Sequence, residues 1–153
     1  MDSYNLRVPK IQEKKPDYQY IKILRKDLTH YDYTWRPDSV NLLPENIRFN
    51  REECADGGLY VCETKHFFEW INLYTDVAWV SYASIPEEAE KYVFATKVKA
   101  SSVVLHGPLI SLEDFIPLAV KSGAHVHANN DIALRDASKY GHAAVVDLLK
   151  KYA

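Results

Sequence analysis

The sequence predicts an α+β protein, a small N-terminal domain on a mixed or antiparallel sheet fused to a short C-terminal stack of helix hairpins. Three observations lead there. Short runs of β-branched and aromatic residues dominate up to Gly107-Pro108, only helical spacing follows that pair, and one helix pattern recurs thirty residues after it first appears. Hydrophobic residues make up 47% and charged residues 26% of the 153, which is the composition of a chain that folds around a core.

Residues 1–17 are polar, with Lys14, Lys15 and Pro16 adjacent and no apolar period, and are expected to form a flexible arm. Residues 18–108 are expected to form the α+β domain. Its first strand is Tyr20 to Leu24, followed by a loop through Pro37 and Pro44. Gly57-Gly58 introduces a strand from Leu59 to Cys62. Thr64 then caps a helix to Tyr74 that places Phe67, Phe68, Trp70, Ile71 and Tyr74 on one broad face. Val77 to Ile85 is a strand stopped by Pro86, and Tyr92–Phe94 and Ser102–His106 read as two more. The domain boundary is expected at Gly107-Pro108.

Residues 109–153 are helical. Phe115 to Gly123 laid on Val145 to Ala153 brings apolar residues into register at the first, second, fourth and fifth positions, the spacing of a helix face that packs on neighbouring helices. Ser111 with Asp114 three residues later marks the start of the first of these helices, and Gly123 marks its end. Ala133 to Tyr140 forms a shorter helix, Gly141 reverses the chain, and the second copy returns antiparallel from Ala143.

The order Gly123-Ala124, Ala137-Ser138, Gly141-His142, Val145-Val146 and Leu148-Leu149 resembles the ankyrin repeat. The resemblance covers about one and a half repeats. One departure is that Ile132-Ala133-Leu134-Arg135 stands where the family opens its first helix with Thr-Pro-Leu-His; Asn129-Asn130-Asp131 would supply side-chain oxygens there instead. The wording from His127 to Arg135 is similar to ankyrin proteins of giant amoeba-infecting viruses. Ile21 to His30, Gly57-Gly58-Leu59-Tyr60 and Ile85 to Ala89 are similar to the module that precedes such arrays in those proteins. The resemblance implies an adaptor or scaffold that binds a partner protein, host or virion, through the turn and first helix of the repeat. The residues it assigns are His125, His127, Asn129, Asn130, Asp131, Arg135, Asp136 and Lys139. Because stacked repeats need about three units to bury enough core, so short an array is expected to lean on the α+β domain. The outer face of the last helix pair, ending at Ala153, is then open to self-association.

Other classes have less in the residues. A net charge of −2 gives no overall field for nucleic acid. No apolar run is of membrane length, and Met1-Asp2-Ser3 lacks the features of a signal peptide, so a soluble intracellular protein is expected. Cys54 and Cys62 suit free thiols in a reducing compartment. Cys54, Cys62 and His66 could be considered as zinc ligands with His30 or His106, but their spacing matches no common site. Neither metal nor cofactor is expected. The alternative is a nucleotide-binding or ADP-ribosyltransferase-like N-terminal domain directed to its target by the ankyrin part; a distant similarity to ADP-ribosyltransferases implies that His30 would fix a ribose and Tyr60 would stack on nicotinamide. The carboxylate that chemistry needs is missing from a strand end, since Glu87, Glu88 and Glu90 lie in or after a Pro-initiated turn.

Overall fold

The computed structural model describes residues 18–53 and 56–152. It is a mixed α+β fold with a large antiparallel sheet and four helices. The strands are β1 (Tyr20–Arg25), β2 (Thr29–His30), β3 (Tyr33–Thr34), β4 (Val40–Leu42), β5 (Leu59–Glu63), β6 (Val77–Ser84), β7 (Lys91–Val93), β8 (Val98–Ala100) and β9 (Ser102–Ser111). The helices are α1 (Phe67–Trp70, after a 3-10 turn over Thr64–His66), α2 (Leu112–Lys121), α3 (Ala128–Lys139) and α4 (Ala143–Lys150). Seven strands form one sheet in the order β4-β9-β6-β1-β5-β8-β7, and β2 pairs with β3 in a separate hairpin.

Strand register sorts the side chains onto two faces, because directly opposed residues point the same way and successive residues alternate. Ile21 opposes Cys62 and Tyr82, and Ile23 opposes Val80. These residues share a core with Phe67, Phe68, Phe115, Ile116, Val145 and Leu149, so this face lies under the helices. Tyr20, Leu24, Val61, Ala83 and Leu105 face the other way and are closed over by Trp35, with Tyr33, Leu28 and Leu43 packed around it. The β3–β4 segment is pinned to that second face by Asn41. Its fully buried amide accepts from Tyr33 Oη (3.0 Å) and the Arg36 amide (2.8 Å) and donates to the Arg36 and Ser39 carbonyls.

Several expected elements take a different form. The helix expected from Thr64 to Tyr74 ends at Trp70. Asn72 is left-handed at φ 52, Leu73 turns inward and is fully buried, Tyr74 is exposed, and the Thr64 side chain makes no cap. The last strand is longer than Ser102–His106 and runs to Ser111, so the boundary expected at Gly107-Pro108 falls inside β9. That pair forms a bulge. Tyr82 opposes His106 while Val80 opposes Ile110, leaving two extra residues on β9, where Gly107 has φ 73 and donates its N–H to Asp38 Oδ1 at 3.0 Å. The switch from strand to helix comes at Ser111, whose hydroxyl accepts the Asp114 amide at 3.1 Å as the sequence leads one to expect.

Gly58 does more than punctuate. A Cβ there would collide with the aliphatic stem of Lys99, a fully buried side chain on β8. The Lys99 ammonium is held by Asn50 Oδ1 at 2.5 Å and by the carbonyls of Glu52 (2.7 Å) and Asp56 (3.2 Å). The loop before β5 is thus tied down by a cation threaded past a glycine.

The three longer helices are in contact with one another through α4. Helices α3 and α4 lie against each other, and α4 also lies against α2. Phe115, Ile116 and Ala119 of α2 and Val145 and Leu149 of α4 fall in one core, while Leu118 is exposed. Helix α3 rests on α1. Among the described residues no helix is long and apolar enough to cross a membrane.

Candidate functional site

The eight residues assigned to partner binding run from His125 and His127, just before α3, through a kink in its first turn into the regular helix beyond. Asn129, Asn130 and Asp131 have φ of 54, 58 and 59, three consecutive left-handed residues ahead of right-handed helix. Left-handed backbone costs an L-residue about 1–2 kcal/mol, least for Asn and Asp, so the sequence Asn-Asn-Asp is suited to the turn but does not hold it alone. Two side chains hold it, those of Arg135 and His127. Arg135 donates through Nε to the Asn130 carbonyl (2.8 Å) and through Nη2 to the Asn129 carbonyl (3.1 Å). His127 meets Asp131 Oδ1 through Nδ1 at 2.5 Å and the Tyr152 carbonyl, at the end of α4, through Nε2 at 3.2 Å.

This changes the roles expected of several residues. Arg135 is fastened to its own turn by its two bonds to the Asn129 and Asn130 carbonyls. Asp131 and His127 are likewise bonded to each other. The side chains left outward are those of His125, Asn129, Asn130 and Lys139, all exposed, with Asp136 half-buried. His125 stands edge-on to His127 at 6.2 Å, and the Lys139 ammonium lies 5.4 Å from the exposed Tyr140 ring. Tyr140 and the Tyr152 carbonyl are contributors that sequence reasoning missed. A solvent-facing aromatic beside Gly141 was the available signal for the first, and none existed for a backbone carbonyl. On the same hairpin, Ala137, Ser138, Gly141 and Ala143, with Val146 and Asp147, line a shallow hollow open to solvent.

The residues considered for catalysis are not brought together. Tyr60 opposes Lys99 and shares the helix-covered face; its ring lies beneath Lys97 and Lys99 at 4.9 and 5.6 Å from their ammonium groups. His30 stands on the separate β2–β3 hairpin, which packs on the other face beside Lys22. Desolvation, with Lys22 and Arg25 nearby, pushes its imidazole down to about 4. A clamp on one dinucleotide needs both groups on one side of a cleft, and the sheet separates them. Glu87, Glu88 and Glu90 remain exposed after β6, as the sequence leads one to expect.

The zinc ligands fare no better. Cys54 lies outside the described residues, and Cys62 is buried under the helices, where desolvation pushes its thiol up to about 12. His66 is bonded to Glu69 at 2.5 Å and His106 to Ser84 Oγ at 2.7 Å beneath the stacked ring of Tyr18. Among the described residues no group of three or more His, Cys, Asp and Glu could hold a metal ion. No family model, no curated protein and no solved structure matches the chain.

Proposed function

We propose that the chain is a protein-binding module that recognises its partner through the turn and outer side of α3, on an ankyrin-like helix hairpin carried by the sheet. The reading is supported by the contacts that α4 makes with both α2 and α3. The observation that carries it is the left-handed turn, whose backbone is fixed by Arg135 and His127 while the Asn129 and Asn130 side chains are left outward. A recognition edge ordered before contact loses little conformational entropy on binding, and among the described residues the Asn129 and Asn130 side chains make no hydrogen bond that would compete with a partner. On this reading α1, which contacts α3, stands in for the neighbouring helix of a longer array, and the sheet acts as the first layer. The partner is a protein, in keeping with the viral resemblance a host or virion component. The hollow on the hairpin is where a second copy would stack if the chain self-associates.

The test replaces Asn129 and Asn130 together with glycine. Glycine keeps the left-handed backbone and the carbonyls that Arg135 binds, but removes the side chains. A protein captured from extract by the wild-type chain is expected to bind the double variant at least about tenfold more weakly, about 1.4 kcal/mol, with an unchanged melting temperature. Equal affinity for this variant and for Lys139→Glu would overturn the assignment.

A further inference from the structure

We infer that His127 is a protonation latch, tying the recognition turn to the end of α4 when charged and releasing it when neutral. The inference rests on the proposed binding role only for what the latch regulates; the latch itself follows from hydrogen-bond arithmetic. Both partners of the ring can only accept. Asp131 offers a carboxylate oxygen to Nδ1 at 2.5 Å, and Tyr152 offers a backbone carbonyl to Nε2 at 3.2 Å. A neutral imidazole carries one N–H, so one nitrogen would face an acceptor with a lone pair; only the imidazolium satisfies both.

The surroundings agree from each side. On its own segment the ring has the Asp131 carboxylate, the His125 ring at 6.2 Å and, one turn along α3, the Arg135 guanidinium, which is committed to the Asn129 and Asn130 carbonyls. From α4 it meets the carbonyl end of the helix, where the helix dipole favours a cation, although Lys150 and Lys151 belong to the same last turn. The hydrogen bond to Asp131 leads in raising the imidazole above its ordinary value. When the proton leaves, the charge-assisted bond to the carboxylate keeps Nδ1–H, and Nε2 is left pointing a lone pair at the Tyr152 carbonyl. The tie to α4 breaks while the tie to Asp131 survives. Since the folded value is raised, the latch is fully closed below the unfolded value of about 6.5 and is lost as pH rises through the folded one.

The test is a nitrogen-resolved titration of the imidazoles and backbone amides of the full chain from about pH 5 to 9. His127 should carry protons on both nitrogens at the acid end and titrate above about 6.5. The amides of Asn129, Asn130 and Tyr152 should shift with the same midpoint. Asp131→Asn, which the left-handed backbone accepts, should lower the His127 midpoint, and His127→Gln should abolish the inflection of the three amides. A wild-type midpoint at or below 6.5, a midpoint indifferent to Asp131→Asn, or amides that do not follow the ring would overturn the latch. These readouts require no partner, so a failure of the binding proposal leaves them intact.

Discussion

The Nε2–H of His142 donates to the carbonyl of Leu73 at 2.8 Å, joining the turn between α3 and α4 to the chain that leaves α1. His142 is half-buried and Leu73 wholly so, and the bond ties the helix hairpin to the segment that follows α1.

Removing that donor leaves a buried carbonyl unpaired, which costs about 1–3 kcal/mol. His142→Ala is therefore expected to lower the unfolding free energy by that amount in urea denaturation, and His142→Gln, which can still donate, by less. Equal losses for the two variants would indicate that ring packing, not the bond, supplies the stability.

Phe115 decides whether the helices and the sheet unfold together. Its fully buried ring touches Phe67 of α1 at 5.1 Å between centroids and Tyr82 of β6 at 5.8 Å, so one side chain connects α2, α1 and the sheet. Phe115→Ala is expected to cost about 3–5 kcal/mol, with secondary structure and tertiary signals lost in one shared transition. An α-helical signal that melts separately, leaving the sheet at its wild-type midpoint, would contradict a joint core.

The parts of this architecture that were legible in the sequence are those where a single local rule decides the outcome. β1, β5 and β6 combine β-branched and aromatic runs with clear stops, and α2 is bracketed by Ser111 and Gly123. β8 escaped notice because Lys97 and Lys99, which precede and occupy it, read as polar although both are buried. What hides them is long-range: the Lys97 ammonium lies 4.8 Å from the Trp70 ring, and Lys99 is satisfied by a loop some fifty residues away. β2, β3 and β4 are only two or three residues long and have no period to detect. At the candidate site the polar residues were visible, but not their division into those that hold the turn and those that it presents, because that depends on where three left-handed carbonyls point.

Lys22 should make stability rise with pH over an unusual range. Its side chain is buried on the second face, donates to the Tyr60 carbonyl at 2.9 Å and lies 4.5 Å from the Trp35 ring. No carboxylate pairs with it in these contacts, and desolvation pushes the ammonium down to about 8 from its usual 10.5. The unfolded chain binds the proton more tightly than the folded one, so between about 8 and 10.5 the unfolded state carries the extra proton and the native state gains as pH climbs. The gain is on the order of 3 kcal/mol if the full interval is traversed. Tyrosines oppose it at the alkaline end, since buried Tyr20 and half-buried Tyr33 and Tyr82 are all raised and resist ionisation while folded. The comparison that isolates Lys22 is with Lys22→Met, which fills similar space without a charge. Unfolding free energies from chemical denaturation should converge between about pH 8 and 10, the wild type gaining on the variant as its amine becomes neutral. A constant difference across that range would mean that Lys22 keeps its proton in the folded protein, with the Trp35 face and the Tyr60 carbonyl compensating for the lost water.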